Sequence, residues 1–147
     1  MSYQHILVPV DGSKISLSAV EHAVSVAKAF NCKLTAISLV AEDPFSGADF
    51  YYSSVAIKDY LIQAYENAEK TLEEVKALAT KEGVTIETEI VKGYVSADTI
   101  QETAQSKNVD LIVMGSHGRK GFQKFFLGSF ALDVLAQTVI PVLIVKE

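Results

Sequence analysis

The chain has 147 residues, of which 49 % are hydrophobic and 21 % charged, and its formal net charge is −5 at pH 7. These values are typical of a single globular domain over residues 1–147, and the acidic balance argues against general nucleic-acid binding. No apolar run approaches the roughly 20 residues that span a bilayer, so we expect no membrane segment. The start of the chain does not resemble a signal peptide, and one cysteine excludes an internal disulfide. We therefore expect a cytoplasmic protein.

The first half of the chain predicts two buried strands around one helix. An almost continuous apolar run over residues 5–10 is typical of a strand that is buried on both faces, and regular pairing should end near Pro9, which cannot donate to a ladder. Ser13 is placed to cap a helix, because apolar residues then recur every three or four positions until Asn31. A second apolar strand follows over residues 34–40.

The middle of the chain predicts a loop, a long helix and a half-exposed strand. Residues 41–54 are irregular in pattern, and residues 55–82 have the periodicity of one helix. Residues 84–91 alternate between apolar and polar side chains, which predicts a strand with one wet face, as at a sheet edge. A turn over residues 92–95 leads to a short helix that Ser96 caps.

The stretch DLIVMGSHGRKGFQKFFLGS, residues 110–129, has the pattern that points most directly to function. A buried strand stops at Gly115, glycines recur through the loop, and helical spacing resumes after Gly128. Glycines let backbone N–H groups approach a ligand, and a helix start directs free N–H groups and a positive dipole end towards an anion. We predict a phosphate-binding loop; the alternative is a glycine-rich surface loop with solvated charges. The loop also contains the cations Arg119, Lys120 and Lys124.

The alternation of strands and helices predicts a three-layer α/β fold, with helices on both faces of an open parallel five-stranded sheet. The last strand, residues 142–145, follows Pro141, and a proline at a strand start favours an edge. With the third and fifth strands at the edges, right-handed connections give the Rossmann-like order 3-2-1-4-5. In this order the winding reverses between the first and fourth strands, where open α/β sheets bind ligands. The loops over residues 9–13 and 115–129 both lie at this point.

The glycine spacing differs from the best-known phosphate motifs, since neither GxxxxGK[ST] nor GxGxxG occurs. Two residues separate Gly115 from Gly118, and nine separate Gly118 from Gly128 and Ser129. This spacing resembles the nucleotide-binding signature of the ATP-binding branch of the universal stress protein family. HILVPVDGS near the start and PVLIVKE at the end extend the resemblance over nearly the whole chain. The resemblance implies an adenine nucleotide α-hydrolase-like fold.

The resemblance also implies a ligand, namely ATP or a close adenine nucleotide, with any magnesium ion held mostly by phosphates and water. Asp11 would hydrogen-bond near the ribose, Val40 would offer its backbone to the adenine edge, and Met114 would line the pocket floor. The glycine loop and the start of the last helix would hold the ribose and phosphates. The implied binding residues are Pro9, Val10, Asp11, Val40, Met114, Gly115, Ser116, His117, Gly118, Arg119, Gly128, Ser129, Phe130 and Ala131.

The resemblance implies a nucleotide-dependent regulator or sensor in a stress response. His117 invites general acid–base chemistry, but no second catalytic group has a recognisable partner position, so we name no catalytic residue and expect at most weak ATP hydrolysis. No protein metal site is predicted. The alternatives are a slow ATP hydrolase of the nucleotide α-hydrolase-like superfamily and a non-catalytic protein-interaction module. Antiparallel pairing of residues 142–145 across a two-fold axis would cover an exposed edge, which predicts a homodimer; a further protein partner is unknown.

Overall fold

The computed structural model describes residues 2–42, 55–117 and 127–146. The strands are β1 (His5–Pro9), β2 (Lys33–Ala41), β3 (Glu87–Gly93), β4 (Leu111–Gly115) and β5 (Val142–Val145). The helices are α1 (Lys14–Phe30), α2 (Val55–Lys81), α3 (Ala97–Ser106) and α4 (Ser129–Gln137). All four strand pairings are parallel, and the order is β3-β2-β1-β4-β5. The predicted Rossmann-like α/β order is therefore confirmed, with β3 and β5 at the edges.

Apolar side chains are buried on both faces of the sheet. On one face Ile6 and Val8 pack with α1 and α2, and on the other Leu7 and Ile112 pack with α3 and α4. All four side chains are fully buried. Full burial of such a side chain contributes about 1.5–3 kcal/mol, and burial on both faces explains why the central strands are almost continuously apolar.

The predicted ends of β1, α1 and α3 are confirmed. β1 ends at Pro9, and Oγ of Ser13 accepts a hydrogen bond from the N–H of Ser16 at the start of α1. Asn31 ends that helix in the left-handed conformation, with φ of 50°. Ser96 caps α3 in the same way as Ser13 caps α1.

The prediction for the third strand is wrong in its bounds. The observed strand lies later than residues 84–91, and the first two residues of the predicted turn, Lys92 and Gly93, belong to it. The reason is that β2 continues to Ala41, so that β3 still has a partner at these positions. Val84 packs against the core on the α1–α2 face, but its N–H donates to the carbonyl of Ala79 at the end of α2.

The longest described helix, α2, has 27 residues, which corresponds to about 40 Å. One stripe of it is buried, and the rest is largely polar. The stripe consists of Ala68, Thr71, Leu72, Val75 and Ala79. Within the described ranges, no helix is both long enough and apolar enough to cross a membrane. The loop predicted over residues 41–54 lies almost entirely outside the described residues, and Ala41 belongs to β2.

Candidate functional site

The carboxyl ends of β1 and β4 border a crevice of about 450 Å³, at the point where the winding of the sheet reverses. This volume is within the usual range for small-molecule sites. The walls come from the β1–α1 turn, the ends of β2 and β4, and the first turn of α4. The lining residues are Pro9, Val10, Asp11, Ser16, Leu39, Val95, Met114, Gly115, His117, Gly128, Ser129, Phe130 and Ala131.

The β1–α1 turn is held by hydrogen bonds between its own polar groups. Oδ1 of Asp11 accepts from the N–H of Ser13 at 2.9 Å and from its hydroxyl at 2.5 Å. The N–H of Asp11 is 3.4 Å from Oγ of Ser16, and the N–H of Val10 donates to the carbonyl of Ile37 at 2.8 Å. These contacts place the exposed Asp11 side chain at the crevice.

The opposite wall depends on Ser116, which is buried directly behind the lining. Its N–H donates to the carbonyl of Val145, the last residue of β5, at 2.8 Å, and its carbonyl accepts from the N–H of Gly128 at 2.7 Å. A Cβ on Gly128 would lie 3.3 Å from Cα of His117 and 3.4 Å from the carbonyl oxygen of Ser116. The absence of a side chain at Gly128 therefore lets the start of α4 approach the end of β4.

The first turn of α4 lines the crevice. Gly128 occupies the N-cap position in an extended conformation, and among the described residues no side chain caps this helix. The N–H groups of the first helical residues have no carbonyl partner within a helix. As far as the described residues go, those of Ser129, Phe130 and Ala131 are therefore open to a crevice ligand, while the Phe130 side chain packs against the core on the α3–α4 face.

The described side chains offer little acid–base or metal chemistry in the crevice. Asp11 and His117 are the titratable groups in its described lining. Nδ1 of His117 is 3.0 Å from Oγ of Ser116. The described part of the chain contains no group of three His, Cys, Asp or Glu side chains that could hold a metal ion.

Most residues that the sequence predicted for the site come together in this crevice. Ser116 lies behind the lining rather than in it, and Gly118 and Arg119 lie outside the described residues. Val40 lines an adjacent cavity of about 410 Å³ between β2 and α2, and Asp11 borders both cavities. The side chain of Val40 faces α2, because alternate residues of β2 point to opposite faces of the sheet.

Sequence reasoning missed three lining residues: Ser16, Leu39 and Val95. The alternation of β2 contained the signal for Leu39, which points to the same face as the buried Ile37. Val95 follows β3 at the carboxyl edge, where ligands of open α/β sheets bind.

Comparison with known proteins identifies the family of this chain. The sequence profile of the universal stress protein family matches residues 2–146. The chain belongs to the universal stress protein family. A universal stress protein of Methanocaldococcus jannaschii is 40 % identical to it over 145 residues, which cover 99 % of this chain and 83 % of that protein. The resemblance that the glycine spacing suggested is confirmed.

Solved structures of universal stress proteins share the fold. The universal stress protein UspA from Lactobacillus plantarum superposes with a TM-score of 0.83 at 26 % identity, and the match covers 99 % of each chain. A universal stress protein crystallised in complex with cAMP has a TM-score of 0.74 at 31 % identity, over 99 % of this chain and 98 % of that one. That relative therefore binds a cyclic adenine nucleotide.

Proposed function

We propose that this universal stress protein binds an adenine nucleotide, ATP above all, in the crevice and acts as a nucleotide-dependent regulator in the cytoplasm. The observation that carries this proposal is the first turn of α4, which lines the crevice and has no side-chain cap among the described residues. The backbone N–H groups of a helix start, together with the positive end of the helix dipole, suit phosphate oxygens. The cAMP complex of a 31 % identical relative supports an adenine nucleotide as the ligand.

The rest of the crevice suits the other parts of a nucleotide. Apolar side chains of Leu39, Val95 and Met114 provide a surface for a planar base, and Asp11 is a hydrogen-bond acceptor for a ribose. By resemblance to the family, the backbone of Val40 would contact the adenine edge, and the glycine loop would enclose the phosphates. A magnesium ion would be held mostly by the phosphates and water.

A regulator is favoured over an enzyme by the chemistry of the described lining. Hydrolysis requires a base that activates water, and one carboxylate oxygen of Asp11 already accepts two hydrogen bonds from Ser13. His117 has no carboxylate partner among the described residues. We therefore expect at most slow hydrolysis of bound ATP.

The test is calorimetric titration of ATP with magnesium into protein that has been stripped of copurified nucleotide. Ser129→Pro removes one crevice N–H at the first helical position, where proline is tolerated, and the extended conformation of Gly128 is compatible with a following proline. We expect the affinity to fall at least about tenfold, because a hydrogen bond to a charged group contributes about 1.5–3 kcal/mol. Titrations with ADP, AMP and cAMP would rank the ligands.

The matched control is Ser129→Ala, which removes the hydroxyl but keeps the N–H. Its affinity should stay within a few-fold of the wild type, and both variants should keep the wild-type unfolding midpoint. If stripped wild type binds no adenine nucleotide, the proposal is wrong and the protein-interaction module becomes the better hypothesis. Equal affinities of Ser129→Pro and Ser129→Ala would show that the N–H of Ser129 does not contact the nucleotide.

We also propose a homodimer that forms through β5. Among the described strands β5 pairs with β4 alone, so the backbone groups of its outer edge could pair with a second copy. Large apolar side chains are exposed on α4, on β5 and on the residues between them. They are Leu132, Leu135, Val139 and Leu143.

Light scattering on the full chain tests the dimer. We expect a dimeric mass at micromolar concentration for the wild type and a monomeric mass for Leu143→Lys. Ile62→Lys changes an exposed apolar residue of α2 in the same way and should leave the dimer intact. A monomeric wild type would refute this proposal without affecting the nucleotide site.

A further inference from the structure

The imidazole of His117 is held by the protein from one side. Its Nδ1 lies 3.0 Å from Oγ of Ser116, a residue that is 1 % exposed. The ring lines the crevice, and Nε2 has no hydrogen-bond partner within the described part of the chain. One nitrogen therefore positions the ring, and no described residue prevents the other from contacting a ligand.

The partner of Nδ1 is compatible with both charge states of the ring. A serine hydroxyl is both a donor and an acceptor. With the neutral ring, Ser116 can donate to Nδ1 while Nε2 carries the proton. With the imidazolium, Nδ1 donates to Ser116 instead, and Nε2 still carries a proton. His117 can thus gain a proton without losing the hydrogen bond that positions it.

His117 also lies next to the proposed phosphate site. The nearest heavy atoms to a Cβ built on Gly128 include Cα of His117 at 3.3 Å and its Cβ at 3.5 Å, so the residue is adjacent to the N-cap of α4. Asp11 is the other titratable side chain of the described lining. The nearby elements also carry Lys14 on α1, Asp133 on α4 and Lys146 after β5, and these side chains do not line the crevice.

We propose that His117 is a proton-linked phosphate ligand: its Nε2 donates to a nucleotide phosphate, and nucleotide binding takes up a proton at the ring. This inference rests on the proposed nucleotide function. Negative phosphate charge favours the imidazolium over the neutral ring, and histidine is the side chain that changes charge between about pH 5 and 8. Affinity should therefore fall as the pH rises through this range. Ser116 is the positioning residue.

Proton uptake on binding is the decisive measurement. ATP with magnesium is titrated near neutral pH in buffers of different ionisation enthalpy, with the full-length wild type, His117→Gln and His22→Gln. We expect greater proton uptake for the wild type than for His117→Gln, and wild-type uptake for His22→Gln, which changes an exposed histidine of α1. Titration of the nucleotide's own phosphates is common to all three proteins and cancels. His117→Asn provides a second non-titrating side chain.

The pH dependence of ATP affinity distinguishes the role of His117 from that of Ser116. Between about pH 6 and 8, the wild-type affinity should fall up to about tenfold more than that of His117→Gln, because tenfold corresponds to one unit of differential proton affinity. Ser116→Ala should lower the affinity several-fold at every pH but retain the proton uptake. If the wild type and His117→Gln bind ATP with equal proton uptake, the inference is wrong and the nucleotide function stands. If stripped wild type binds no ATP at any pH, both fail.

Discussion

The histidines at the two ends of the sheet differ in their hydrogen bonding. At the amino end, the buried His5 has both nitrogens paired: Nδ1 donates to the carbonyl of Lys107 at 2.9 Å, and Nε2 is 2.7 Å from the hydroxyl of Thr35. The Asp110 carboxylate beside it accepts from two backbone N–H groups. At the carboxyl end, His117 has one described partner. Both nitrogens of His5 are engaged within the fold, whereas Nε2 of His117 has no hydrogen-bond partner among the described residues.

The strongest test of this contrast is His5→Ala, which should affect stability alone. It leaves the hydroxyl of Thr35, a residue that is 1 % exposed, and the Lys107 carbonyl without their partner, and it opens a cavity. We expect the free energy of unfolding to fall by about 3 kcal/mol, measured by urea denaturation. His22→Ala on the surface of α1 should change it little. Weaker ATP binding by folded His5→Ala would show that the two ends are coupled.

Gly128→Ala should have a smaller effect than His5→Ala, and this effect should be on ATP affinity and not on stability. The added Cβ would be 3.3 Å and 3.4 Å from atoms of His117 and Ser116, so the start of α4 must shift by a few tenths of an ångström. ATP affinity should fall by about tenfold, because loss of well-aligned hydrogen bonds to phosphate costs more than 1 kcal/mol. The unfolding midpoint should change little, since Gly128 has an ordinary extended conformation. The reverse pattern, lower stability with unchanged affinity, would restrict Gly128 to packing.

The smallest expected effect concerns Cys32, at the amino end beside Asp110. Burial, and to a lesser degree the negative charge of Asp110, raises the pKa of this thiol. Because the folded pKa is raised, the stabilising contribution is complete below the unfolded pKa of about 8.5 and is lost as the pH rises through the folded pKa. Urea unfolding of wild type and Cys32→Ala at neutral and alkaline pH measures this pH-dependent contribution to stability. An identical pH dependence of the two proteins would contradict this prediction.

The strand order could be predicted because it follows from local signals. Alternating polarity in the third strand and Pro141 before the fifth marked the sheet edges, and serine caps marked two helix starts. The bounds of β3 could not be predicted in this way. Val84 is apolar and packs against the core, but pairing at Lys92 and Gly93 is decided by the length of β2, which is a tertiary property.

The candidate site shows the same division. Contiguous loop residues such as Asp11 and His117 could be assigned from motif and topology together. Leu39 and Val95 were missed because they reach the crevice from β2 and from the end of β3, outside the two loops that the motifs indicated. For Gly128 the sequence predicts close approach of a ligand, and the structure shows close approach of His117 at the same glycine.

Ser116 helps to order the crevice wall that the end of β4 and the start of α4 form. Both backbone groups of Ser116 are engaged, one with the end of β5 and the other with the N-cap of α4. The described wall is therefore ordered by folding, before any ligand arrives. A ligand that meets such a preorganised wall loses mainly its own freedom, so more of its contact energy contributes to affinity.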